Sequence, residues 1–159
     1  GWLAHDQYRP PSLAGQPRTF VENQLVLIRE GLRPVPAMQG LLDGVPDDEL
    51  VALAQYFAAL PPPPSSAPTD GAAYQRGQAL ASRMLCGSCH LPAYNGQQQV
   101  PRIAAQPEPF LLASMKQLRD RPGPGRDTIM AAALHGLKDA ELADLAHFLA
   151  HFQQPAAAR

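Results

Sequence analysis

The chain has 159 residues, 45% of them hydrophobic, and a formal net charge of −1. That is enough apolar material for a real core, yet no run approaches the ~18 uninterrupted apolar residues of a membrane span. The near-neutral balance carries no signature for nucleic acid or an acidic lipid surface. The start shows no signal peptide, as expected of a cytosolic protein or of a mature exported one.

In chain order, "FVENQLVLIREGL" predicts a helix over 20–32 that closes at Gly31, since its apolar residues recur at helical spacing. "PDDELVALAQYFAAL" (46–60) opens with Pro and three acidic residues, the chemistry of a helix N-terminus. "LPPPPSSAPTD" (60–70) contains four consecutive prolines, which favour polyproline II and predict a stiff, extended spacer. A domain boundary falls there, giving units at 1–60 and 70–159 around a linker at 61–69. Beyond it, segments 70–85, 108–120 and 138–152 read as three more helices. The predicted fold class is all-α.

The two units share a ground plan. "MQGLLDGVPDDELVALAQYFAAL" from Met38 lies over "MAAALHGLKDAELADLAHFLAHF" from Met130 without a gap, and "PSLAGQPRTF" from Pro11 lies over "PRIAAQPEPF" from Pro101. Charge differs between them. Residues 1–69 carry four Arg and seven Asp/Glu, and residues 70–159 carry nine Lys/Arg and seven Asp/Glu.

Both cysteines of the chain lie in "MLCGSCHLP", where Cys86, Cys89 and His90 form C-x-x-C-H. Two thiols three residues apart can add to the two vinyl groups of one haem, with the adjacent histidine facing the iron. A structural zinc needs four ligands, and His5, His135, His147 and His151 make no zinc-spaced pair with this motif. A redox dithiol would sit in a βαβ context that is not visible here. A simple disulfide leaves His90 unexplained. For the sixth iron ligand the best candidate is Met130, forty residues after His90, with His135 as runner-up. Met115 falls mid-helix on an apolar stripe, where a core role is expected.

On these residues the second unit resembles a class I cytochrome c domain, and the tandem arrangement is most similar to the two-domain bacterial cytochrome c4 family. The resemblance implies thioether anchors at Cys86 and Cys89, a proximal ligand at His90 and a distal one at Met130. It implies that the Pro101 carbonyl holds the His90 ring N–H, that Gly77 allows a close helix crossing against Phe148, and that Arg126 reaches a haem propionate. It further implies a periplasmic, non-enzymatic electron carrier with one covalent haem c. The redox partners would be an upstream dehydrogenase or cytochrome complex and a downstream oxidase or reductase, any membrane association being made through a partner. The alternative is a cytochrome subunit of a larger dehydrogenase or oxidoreductase complex, docked through the first unit.

The first unit departs from that family. At the place of its C-x-x-C-H it reads "GWLAH", with His5 but no cysteine. From His5 to Pro11 is six residues, against eleven from His90 to Pro101. Three accounts stay open: a non-covalent haem on His5 and Met38, a haem-less remnant with Met38 packed inward, or missing residues near the start. On any of them this short unit is expected to pack on the second unit or on another protein.

Overall fold

The computed structural model describes residues 9–154. Seven α-helices follow one another: α1 (Arg18–Arg29), α2 (Asp47–Ala59), α3 (Gly71–Arg83), α4 (Cys86–His90), α5 (Glu108–Asp120), α6 (Thr128–Leu134) and α7 (Asp139–Ala150). A short 3₁₀ turn at Pro36–Met38 lies between α1 and α2. Among the described residues the only β pairing is an isolated bridge between Gln97 and Val100. No helix there is long and apolar enough to cross a membrane.

The helices start where local chemistry satisfies their first N–H groups. The Asp70 carboxylate accepts from Ala73 N–H at 3.0 Å, and Asp127 accepts from Ile129 and Met130 N–H at 2.7 and 3.2 Å. Asp47, Asp48 and Glu49 fill the first turn of α2, where carboxylates offset the positive end of the helix. The α1 helix begins at Arg18, two residues before the predicted start, and ends ahead of Gly31. Gly31 has φ +71°, the left-handed backbone that closes many helices.

Two hydrophobic clusters form. In the first, Val21 and Leu25 of α1 pack on Leu50 and Ala54 of α2, with Leu42 beneath them and Met38 at the edge. In the second, Leu111 and Met115 of α5 meet Leu142, Leu145, Ala146 and Phe148 of α7, joined by Leu80 and Ala81 of α3. Met115 is therefore a core residue, as its position on an apolar stripe predicts.

The internal repeat is also a repeat of bonds. Arg29 donates to the Val45 carbonyl at 2.8 Å and pairs with Asp47 at 2.8 Å. Arg119 does the same to Leu137 and Asp139, each at 2.7 Å. Gly15 N–H reaches the Phe57 carbonyl at 3.0 Å, and its counterpart Ala105 reaches Leu149 at 2.9 Å. Both turn residues have positive φ.

The halves join across a reciprocal seam. Gln16 donates to the Arg102 carbonyl at 3.0 Å and accepts from Arg102 N–H at 2.8 Å. Gln106, the repeat partner of Gln16, does the same with Ser12, the partner of Arg102, at 2.9 and 2.8 Å. The first half thus packs on the second, as its shortness predicts. The proline-rich segment is docked as well: a Cβ at Gly15 would stand 2.9 Å from Cβ of Pro62, and the Ser66 carbonyl lies 3.1 Å from His151 Nδ1. The predicted spacer is a strap held at both ends.

Gln16→Ala would leave the buried N–H and C=O of Arg102 unpaired. Each orphaned group costs about 1–3 kcal/mol, so unfolding free energy is expected to fall by about 3 kcal/mol and cleavage within 61–69 to accelerate. Denaturant titration with limited proteolysis checks this; unchanged values would mean the seam contributes little.

One difference between the halves is exposure. Leu53 and Tyr56 on α2 are 37% and 60% exposed, while Leu145 and Phe148 at the matching places on α7 are 2% and 1%. The α3 helix lies across α7, and no described element lies across α2 in that way.

Candidate functional site: a thiol–imidazole turn under a helix crossing

Helix α4 is a single short turn bearing Cys86, Cys89 and His90. Residues three apart on a helix lie on one face, so both thiols stand on the same side. They are unbridged, Cys86 half-buried and Cys89 exposed. Leu85 and Leu91 bracket the turn with φ of 57° and 70°, left-handed values uncommon for leucine. They bend the chain sharply into and out of the motif. Burial pushes the Cys86 thiol up.

His90 is buried, 4% exposed. Its Nδ1 lies 2.8 Å from the Pro101 carbonyl, which assigns the proton to Nδ1 and leaves the Nε2 lone pair free. Burial lowers its pKa, against smaller upward effects from the Pro101 carbonyl and the Asp127 charge. The ring is thereby held in the neutral form that ligates metals. Its backbone is tied too, as Gly96 N–H donates to the His90 carbonyl at 3.0 Å.

Asp127 also caps the helix that carries Met130. The same carboxylate acts on His90 from the start of the helix that bears Met130. Met130 lies inside α6, half-buried against the second hydrophobic cluster. His135, the runner-up, is exposed at the end of that helix.

The crossing of α3 over α7 frames the site. A Cβ at Gly77 would lie 2.6 Å from Cβ of Phe148 and nearer still to the Asp144 carbonyl. Only glycine permits this approach. Around Phe148, the rings of Tyr74 and Tyr94 pack edge-on at 5.0 and 5.6 Å.

The arginines test what the site accepts. Arg126 donates to Ser114 Oγ at 2.8 Å, but its Nε is buried with no partner, and burial lowers its pKa. Arg102 is likewise buried, with its Nε on the Ala104 carbonyl at 3.1 Å and its pKa lowered by burial. Neither guanidinium has a carboxylate partner among the described residues. A buried cation calls for an anion, and the propionates of a haem are such anions. Arg102 has no sequence signal beyond following Pro101. No further thiol, imidazole or carboxylate joins Cys86, Cys89 and His90 among the described residues, so a structural zinc lacks its ligands there. His5 lies outside the described residues. Its suggested partner Met38 is half-buried at the edge of the first cluster.

An all-α frame with paired thiols beside a backbone-anchored imidazole, and with unpaired arginines for acidic side groups, defines a haem c electron-transfer protein. Comparison with known proteins agrees. The cytochrome c family model matches residues 74–153. Cytochrome c4 of Azotobacter vinelandii is 27% identical over 157 residues, covering 87% of this chain and 75% of the relative. The thiosulfate dehydrogenase electron acceptor of Thiomonas intermedia is 30% identical over 151 residues, covering 88% and 69%. The reduced recombinant cytochrome c4 structure from Pseudomonas stutzeri superposes with a TM-score of 0.82 at 24% identity, covering 90% of this chain and 85% of that one, a likeness of fold. The chain belongs to the cytochrome c family and is a cytochrome c4-like member of it. Its cofactor is covalently bound haem c, its function is electron transfer with redox partner proteins, and it is a carrier rather than an enzyme.

Proposed function

We propose that this is a periplasmic carrier of single electrons with one covalent haem c in its second unit. In this reading residues 1–60 form a cytochrome-like unit without covalent haem, 61–69 the strap, and 70–159 the haem-bearing unit. Cys86 and Cys89 are the thioether anchors, His90 Nε2 the proximal ligand and Met130 the distal ligand, while Pro101 orients His90 and Arg126 pairs with a propionate. When bound, the haem supplies a one-electron iron couple, whose potential is raised by His/Met ligation. The protein's task is to hold both axial groups still and keep water away, so that little rearranges as the charge changes. The observation that carries this reading is the 2.8 Å contact of His90 Nδ1 with the Pro101 carbonyl, which holds the proton on Nδ1 and leaves the second ring nitrogen free to ligate a metal.

Haem per polypeptide tests it, by pyridine haemochrome assay with intact mass under denaturing conditions. One haem retained through denaturation is the expected result, and none sinks the proposal. Two haems with only one retained would assign a loose haem to the first unit.

A second reading, a subunit of a larger dehydrogenase complex, is favoured by the exposed Leu53 and Tyr56 on α2. The similarity to a dehydrogenase's electron acceptor adds to it. Its partner would be a thiosulfate-oxidising enzyme, and co-purification with such an enzyme would distinguish it from a freely diffusing carrier.

A further inference from the structure

We propose that Glu108, His147 and His151 form a binding site for a divalent cation of the zinc class, separate from the haem-attachment turn. His147 lies in the last turn of α7 and His151, four residues on, is its C-cap, so both rings project to the same side. Their centroids are 4.6 Å apart. Glu108, the first residue of α5, brings its carboxylate between them. His147 Nδ1 is 3.2 Å from each of its oxygens, and His151 Nε2 is 3.5 Å from Oε2. All three ligand atoms lie within 4.8 Å of one another. Zinc bonds of about 2.0–2.1 Å at tetrahedral angles put neighbouring donors about 3.3–3.4 Å apart. The two carboxylate–imidazole distances already bracket that value, and only the imidazole pair must close.

The protons sharpen the case. His151 Nδ1 is 3.1 Å from the Ser66 carbonyl and 3.2 Å from Ser66 Oγ, and the tautomer with the hydrogen on Nδ1, donated to the carbonyl, is the one that ligates a metal through Nε2. His151 Nε2, 3.5 Å from Glu108 Oε2, then turns a lone pair toward that oxygen. In that tautomer two acceptors face each other, and a cation between them, a proton or a metal ion, joins them. A backbone carbonyl on the far nitrogen is also how ligating histidines are commonly oriented. His147 differs, since its Nε2 accepts from Asp70 N–H at 3.2 Å, which leaves its hydrogen on Nδ1. Metal binding moves that proton from Nδ1 to Nε2 and gives up the Asp70 bond, while the ring stays neutral.

Charge and access agree. One carboxylate and two neutral imidazoles suit zinc, copper or nickel better than calcium or magnesium, which prefer oxygen. The Asp70 carboxylate, held below the usual carboxylate range chiefly by its bond from Ala73 N–H, adds negative charge nearby. Glu108 and His151 line an open cleft of about 500 Å³, through which an ion and a water ligand could enter.

Isothermal titration of untagged, haem-loaded protein with zinc tests the site. Saturable binding of one zinc is expected, weakened more than about tenfold by His151→Ala and by Glu108→Gln and unchanged by His135→Ala. Both weakening variants alter partly exposed side chains, and an unchanged haem spectrum verifies their folding. Absence of saturable binding would overturn the proposal, as would equal affinity in the variants. Either result would make the cluster a clasp that holds only protons.

Discussion

Replacing Met130 with alanine is expected to lower the reduction potential by roughly 100–300 mV, within the ~0.8 V range that axial ligation spans. It should also let the reduced protein bind carbon monoxide. The thioether favours ferrous iron, and alanine offers no donor in its place. Asp127 caps α6 through the N–H groups of Ile129 and Met130, and this bond does not involve the Met130 side chain. The helix should therefore persist while the ligand is lost. Two controls bear on the assignment. Met115→Leu changes a core side chain that is 7% exposed and should leave the potential unmoved, as should His135→Ala on the exposed face. A potential and carbon monoxide affinity unchanged in Met130→Ala would remove Met130 as distal ligand.

Gly77→Ala is expected to be among the most destabilising single-methyl changes in the chain. The new Cβ would meet Phe148 Cβ at 2.6 Å, and the rigid Asp144 carbonyl closer still, so α3 and α7 must separate. Overpacking of this kind costs about 3 kcal/mol, against a gain of about 1 kcal/mol from better helix propensity. A net loss of about 2 kcal/mol should lower Tm by roughly 10 °C in a unit of this size. Gly71→Ala in the same helix is the comparison, since a Cβ there meets nothing within 4 Å. Calorimetry of the two holoproteins should show a large drop for position 77 and none for position 71. Equal values would mean that the crossing relaxes freely and that glycine is not required for it.

Much of this was legible in the sequence because it is local. The amphipathic spacing of α1, α2, α3, α5 and α7 is set by side chains within each helix. The C-x-x-C-H turn is three residues, two Cys and one His, at fixed spacing. The repeat shows as one offset before the α1–α2 loop and another after it, because the second half has two extra residues there. Helices α4 and α6 escaped detection, with five and seven residues, too few to display a period. Met130, expected ahead of the last helix, therefore sits within a helix of its own.

Other features had no linear signal. Gln16 and Gln106 look like loop residues destined for solvent, yet both are buried. Arg102 looks like a surface cation until its burial without a carboxylate partner is seen. The Glu108–His147–His151 cluster joins the start of α5 to the end and C-cap of α7, far apart in the chain.

The sequence by itself determined the five longer helices, the anchoring chemistry and the twofold plan, since each depends on residues within a few turns of one another. The tertiary structure alone decided how the halves dock, which polar groups go inside and where the proline-rich strap lies. Those outcomes depend on pairing N–H and C=O groups across 86 and 94 residues. A buried backbone group must find a partner wherever the fold places one, and no local pattern records which partner that will be.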